Sequence, residues 1–321
     1  MTTFKEIRGT AIRSVSSDPS NPEIGQIWYN NTIGVLKGYK SIGAAWSSGG
    51  NLGTARQRGA SAGTQTAGLM FAGNPGYTTA TEEYNGSTWG PGGNMTDGRR
   101  NIAGTGTQTA GLAFGGKAPP APASAATEEY DGSTWSPGGN MGTARYSRAS
   151  AGTQTAGLGF GGNAPPSNAT EEYDGSAWTA GGALGTARYA AAGCGTQTAG
   201  LGFGGVNPAS PTLLNATEEY DGSAWTAGGN LNTSRNALAG AGTQTSGIAF
   251  GGQTPTVSGA TELYNGTSWT NSSSMSTARS FLGGAGTQIA ALASGGNTGA
   301  ATDATEEFTD PSFGVQKITT S

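Results

Sequence analysis

The side chains best able to do chemistry in this chain are carboxylates and arginines, and both recur on a fixed spacing. Glutamate pairs stand at Glu82-Glu83, Glu128-Glu129, Glu171-Glu172, Glu218-Glu219 and Glu306-Glu307, with a lone Glu262 in a sixth copy. Arginines recur at Arg56, Arg99, Arg145, Arg188, Arg235 and Arg279. Glycoside hydrolysis would need two carboxyls flanking one bond. Adjacent residues on a strand point to opposite faces, so the two members of a pair do not share a substrate. Equivalent pairs around a repeat also single out no one site. A structural role follows, with each arginine anchoring its loop through a carboxylate or a carbonyl. The chain has no histidine, which removes Ser-His-Asp and Cys-His nucleophiles, imidazole metal ligands and imidazole acid–base catalysis. The single cysteine, Cys194, leaves no internal disulfide or multi-thiolate metal site. It fills a slot held elsewhere by Ala62, Thr105, Ala151, Ala241 and Ala285, so it reads as a small buried residue. The expectation is a protein without catalytic residues, metal or cofactor, and not an enzyme.

The elements that position these side chains are legible from the repeat. Tryptophans at Trp46, Trp89, Trp135, Trp178, Trp225 and Trp269 each precede the arginine by ten residues. They precede a glutamine by nineteen, at Gln65, Gln108, Gln154, Gln197, Gln244 and Gln288. All length variation falls between that glutamine and the next glutamate, as expected when one repeat is one supersecondary unit. Glycine makes up 59 of the 321 residues and charged residues only 11%, a composition that suits a repeat architecture with close strand approach. Each repeat reads as four short strands. A small-residue run is followed by Gly-Thr-Gln-Thr, then by Ala-Gly-Leu-x-Phe-Gly-Gly, as at Ala110 to Gly116. Ala110, Leu112 and Phe114 share one face while Gly111 and Ala113 share the other, so large faces pack on small ones between sheets. Ala-Thr-Glu-Glu-Tyr is the third strand, and Asp-Gly or Asn-Gly turns it into the tryptophan strand. Asp131, Asp174 and Asp221 are turn residues, because Asn85 and Asn265 hold the same slot. The glutamines are expected to hydrogen-bond within the turn between the first two strands. The fold class is all-β.

Gly-Gly closing the second strand, Glu-x-Tyr-Asp, the tryptophan and the following arginine together resemble the kelch motif. The resemblance covers about residues 34–308 and recurs six times. It implies a six-bladed kelch-like β-propeller with one four-stranded sheet per blade. The chain has a tryptophan strand near Trp46 before any Thr-Glu-Glu strand, and it ends its repeats with Thr305-Glu306-Glu307-Phe308 and no tryptophan. The last blade is therefore expected to take its fourth strand from around Trp46, placing Trp46 beside Phe308. Residues 309–321 are left as a C-terminal tail. The Thr-Glu-Glu-Tyr-Asp-Gly-Ser-Thr-Trp and Ala-Gly-Thr-Gln-Thr-Ala-Gly-Leu repeats look like those of kelch-type proteins encoded by tailed, especially marine, phages.

Residues 1–33 lie outside the repeats and read as an N-terminal attachment segment containing a β-hairpin. Its Gly-Gln-Ile-Trp-Tyr-Asn to Gly-Val-Leu-Lys sequence resembles a hairpin of phage tail-fibre and other virion appendage proteins. Phe4, Ile7, Ile24, Ile27, Trp28 and Tyr29 give it the apolar content of an interface. The variable loops between second and third strands are the expected ligand-facing surface. Tyr77, Lys117, Asn163, Asn207, Leu213, Leu214 and Thr256 are its candidate contacts, with most from residues 206–215. Lys117 is the only cation in these loops, so a neutral glycan or a protein is the expected ligand. The resemblances imply a bacteriophage virion protein, a fibre, tail or capsid appendage at the particle surface, serving host attachment. Its expected partners are other virion proteins, further copies of itself in a homo-oligomer, and a host surface glycan or protein. The alternatives are a non-virion kelch-type adaptor and a carbohydrate-active propeller enzyme. The net charge of −4 without a basic run argues against nucleic acid, and no apolar stretch is long enough for membrane insertion.

Overall fold

The computed structural model describes residues 12–20, 26–40, 43–120, 122–163, 168–210, 212–310 and 314–317. The chain divides into two compact units, one spanning Ala45–Thr309 and the other combining Met1–Ala44 with Asp310–Ser321. Among the described residues there is no helix, and the protein is all-β.

The larger unit is propeller-like and built from repeated four-stranded antiparallel sheets. The first comprises Ala60–Gly63, Gly68–Phe71, Thr81–Tyr84 and Trp89–Pro91. The second comprises Ala103–Thr107, Ala110–Phe114, Thr127–Tyr130 and Trp135–Pro137. Ala149–Gly152, Gly157–Phe160, Thr170–Tyr173 and Trp178–Gly181 form the third, and Ala192–Gly195, Gly200–Phe203, Thr217–Tyr220 and Trp225–Ala227 the fourth. The fifth holds Ala239–Thr243, Ser246–Phe250, Thr261–Tyr264 and Trp269–Ser272. The sixth joins Gly283–Thr287, Ala290–Ser294 and Thr305–Thr309 to Ala45–Ser48, with Phe308 opposite Trp46.

Side-chain size explains how the sheets lie against one another. In the first, third and fourth sheets the second strand, which carries Gly-Leu-x-Phe, is buried on both faces. Its phenylalanine presses on the first strand of the following sheet. A Cβ added to Gly104 would lie 2.3 Å from Phe71 Cζ, so position 104 accommodates glycine alone without a shift of that ring. The small face expected from the sequence is thus the seat for a neighbour's aromatic ring.

First strands lie side by side from sheet to sheet, and the sixth lies beside the first. Immediately before them, a chain of backbone hydrogen bonds runs from one sheet to the next. Asn101 N donates to Arg58 O, Ser147 to Asn101, Ala190 to Ser147, Ala237 to Ala190, Phe281 to Ala237, and Arg58 to Phe281. All six residues have positive φ, between 51° and 60°. Such a conformation is costly for residues with a Cβ, and the N–H and carbonyl of each are both taken up in this circuit.

The smaller unit holds one sheet, ordered Arg13–Val15, Ile27–Asn30, Val35–Lys40 and Gly314–Lys317. Its first pair is parallel and the others antiparallel. Residues 34–44, grouped with the repeats on sequence grounds, belong here because Val35–Lys40 pairs with Ile27–Asn30 and Gly314–Lys317. The C-terminal tail likewise contributes a strand. Trp28 is fully buried, and its indole donates to Asp18 Oδ1 at 3.1 Å. Asp18 also accepts from Asn30 Nδ2 and pairs with Lys37 Nζ at 2.6 Å. The Lys37 and Asn30 hydrogen bonds hold the Asp18 carboxyl down at about 2.

Candidate functional site

The repeated carboxylates and arginines meet inside each sheet. Arg56, Arg99, Arg145, Arg188, Arg235 and Arg279 pair with Glu82, Glu128, Glu171, Glu218, Glu262 and Glu306. The arginines are essentially fully buried. Each uses Nη1 to bond the carbonyl before the third strand, as Arg99 does to Ala126 O at 2.7 Å. Desolvation pushes Arg56, Arg99, Arg188, Arg235 and Arg279 below the usual guanidinium range, and the facing glutamate opposes that shift. The glutamate's other oxygen caps the loop arriving from the preceding sheet. Glu128 Oε2 accepts from Thr96 N and Oγ1, both at 2.7 Å.

The second glutamate of the pair does a different job. Glu307, Glu83, Glu129, Glu172 and Glu219 accept from Tyr84, Tyr130, Tyr173, Tyr220 and Tyr264 of the following sheet. Burial, then this hydrogen bond, pushes each of these phenols up to about 12. Every repeat tryptophan donates Nε1 to the third-strand threonine of the preceding sheet, as Trp135 does to Thr81 and Trp46 to Thr261.

The glutamines differ from expectation. They sit in the turn between first and second strands, but each donates to two carbonyls of the preceding sheet. Gln108 Nε2 bonds Gly68 O and Tyr84 O, and Gln65 bonds Ala291 O and Phe308 O. The amide thus fastens sheet to sheet, including the sixth to the first. Asp131, Asp174 and Asp221 are turn residues as expected, each Oδ1 accepting from backbone N–H groups two and three residues on. Cys194 is buried, and desolvation raises its thiol to about 12, which leaves no thiolate for nucleophilic attack.

These links use the repeat arginines and glutamates in closely matching roles, and Glu171 has a second buried arginine, Arg148, at 3.8 Å. A cavity of about 270 Å³ opens among the six first strands. Its wall is mainly glycine, alanine and serine, with Arg58, Asn101 and Phe281 among the lining residues.

The candidate loop residues fall on the side of the sheets where second strands end and first strands begin. Lys117 and Arg100 face each other in a backbone bridge. Lys117 Nζ lies 4.1 Å from the centre of the Tyr146 ring. Arg100 lies over Tyr77 at 4.6 Å and Arg58 over Phe281 at 3.9 Å. The loops alone suggested a single cation there. The structure adds Arg58 and Arg100, which precede first strands and were missed because they lie outside the variable loops. A signal existed, since the slot of Arg58 holds Asn101, Ser147, Ala190, Ala237 and Phe281 in other repeats.

Other loop candidates are placed differently. Residues Val206–Asn207 and Thr212–Leu213 form a small hairpin, with Leu213 opposite the buried Val206. Leu213 and Leu214 are half-buried, and Leu214 O accepts from Arg235 N. Asn207 Oδ1 accepts from Ala209 N, Asn163 bridges Tyr146, and Thr256 is exposed. In the smaller unit Ile27, Trp28 and Tyr29 share one strand, with only Tyr29 exposed. Phe4, Ile7 and Ile24 lie outside the described residues. No protein-family model and no curated protein matches the chain.

Proposed function

We propose that the six sheets close into a six-bladed propeller of the kelch type, serving as a non-catalytic display scaffold in a bacteriophage virion appendage. The observation carrying this reading is the division of labour within the repeat. Its glutamates, arginines, tyrosines, tryptophans and glutamines are consumed by equivalent sheet-to-sheet and loop-anchoring bonds. Length varies only between the glutamine and the next glutamate, the stretch that carries the loops between second and third strands, as in a scaffold with a recognition face. The backbone circuit through Arg58 and Phe281, and the sixth sheet's use of Ala45–Ser48, support closure. The phage assignment rests on the repeat sequence and on the sequence from Gly25 to Lys37, both similar to those of virion appendage proteins. Other virion proteins and further copies of the chain are the partners this reading requires. Mass spectrometry of gradient-purified particles tests it. The protein is expected at a fixed copy number per particle, and its absence from intact particles would refute the assignment.

A further inference from the structure

We propose that Arg58, which lines the cavity among the first strands, forms an anion site for an acidic sugar together with Arg100 and Lys117. The inference deepens the reading of this face as a recognition surface and rests on it.

Ten arginines and lysines lie within Ala45–Thr309. Six are spent in the buried repeat pairs, and Arg148 is buried beside Glu171. The other three are these, and they fall together on one side of the unit. Among the described residues none of the three has a carboxylate within ion-pair distance. Arg58 and Arg100 are close enough for their charges to oppose one another, an effect added to the desolvation that lowers Arg58. The strongest side-chain acceptors near them are neutral and distant. Arg58 Nη1 reaches Asn101 Oδ1 at 3.4 Å, and Arg100 Nη1 reaches Asn74 Oδ1 at 3.5 Å. Arg100 Nε is buried with no partner. Like charges gathered without an acid are unfavourable until an anion arrives.

The surroundings narrow the ligand. Each cation rests on an aromatic ring, which fixes it while leaving the edge of a guanidinium fork open to a carboxylate. The adjoining cavity wall offers backbone groups and the Ser147 hydroxyl, with no acid, while Ser61 bonds Ser294 and Ser150 donates to Gly104 O. A negative charge on each hydroxyl-rich ring matches both features, which a uronate supplies. The neutral ligand expected from the loops alone gives way to a charged one once Arg58 and Arg100 are counted.

The repeat itself supplies a test that spares the fold. Ala190 and Ala237 occupy the slot of Arg58 at the same positive φ, Gln57 that of Arg100, and Asn74 and Asn163 that of Lys117. The variant R58A/R100Q/K117N therefore uses residues the architecture already accepts. Trigalacturonate and its methyl ester are titrated into the full chain and the variant, followed by amide chemical shifts and calorimetry. The parent is expected to bind trigalacturonate and to bind the ester about 10- to 100-fold more weakly, the range for a lost charge-assisted hydrogen bond. The variant should lose the same factor with an unchanged melting temperature. Equal binding of acid and ester, no binding of either, or unchanged affinity in the variant would overturn the proposal. So would binding of an acidic peptide in place of the sugar. Each of these results leaves the particle-composition test standing, so the two readings fail separately.

Discussion

Tyr84 of the first sheet donates its phenolic hydrogen to Glu307 of the sixth, joining residues from opposite ends of the repeat array. The same bond recurs between every following sheet and its predecessor except one. At that interface the tyrosine slot holds Phe308 and the glutamate slot holds Leu263. Donor and acceptor were replaced together, which is what the cost of an unpaired buried polar group demands.

This pairing gives a double-mutant prediction. Phe308→Tyr alone buries a hydroxyl facing Leu263 and should cost about 1–3 kcal/mol. Adding Leu263→Glu supplies the acceptor found at the other interfaces, and the double variant should recover at least half of that loss. Urea unfolding of the four proteins in the cycle measures the coupling. Additive losses would show that the tyrosine–glutamate bond contributes nothing to holding sheets together.

The buried arginines predict a large asymmetry between the two glutamates of a pair. Glu128→Ala strands Arg99 without its carboxylate and should destabilise by about 3–5 kcal/mol, the usual cost of breaking a buried pair. Glu129→Gln keeps an acceptor for Tyr173 and should cost about 1 kcal/mol or less. Equal effects in denaturant titrations would contradict the separate roles.

Alkaline pH should loosen the unit through the five phenols. Their values are raised from 10.0 to about 12 on folding, first by burial and then by the glutamate contacts. The unfolded chain therefore releases these protons first. Stability should be intact below pH 10 and decline as pH rises toward 12. Urea midpoints measured from pH 8 to 12 would show the decline, and a flat profile would mean that the phenols are not held in this environment.

Much of this architecture is legible in the sequence, because a period repeated six times exposes each slot to comparison. The Trp46 strand could be assigned to the last sheet since the repeat is cut between its third and fourth strands. Another exchange is visible the same way. Ser294 stands where other second strands have phenylalanine, and Met70 of the next sheet replaces a glycine or alanine and packs toward it. The glutamine contacts were not legible, because their acceptors are backbone carbonyls of another sheet and leave no trace in side-chain identity. The Gly314–Lys317 strand lies outside the period and pairs with a strand far away in sequence, so no local pattern marked it. The cation cluster was readable only by comparing the residues before each first strand, where Arg58 and Arg100 break the repeat.

Truncation separates the two ends of the chain. Removing residues 1–52 takes away Ala45–Ser48 and leaves Thr305–Thr309 with an open edge. The melting temperature of the repeat unit should fall markedly. Removing residues 1–20 leaves all six repeat sheets whole and should leave that transition in place. Identical melts for the two truncations would mean that the Trp46 strand is not part of the sixth sheet.

Closure of the repeats through Trp46 is tested most directly by nuclear Overhauser contacts of its indole. Trp46 lies 5.2 Å from Phe308 and 5.0 Å from Phe250 between ring centres, and its Nε1 donates to Thr261 Oγ1 at 3.0 Å. With selective aromatic labelling, cross-peaks from the Trp46 indole to both phenylalanine rings are predicted, together with a slowly exchanging indole N–H. An indole without those cross-peaks, exchanging as fast as one in water, would contradict closure of the ring.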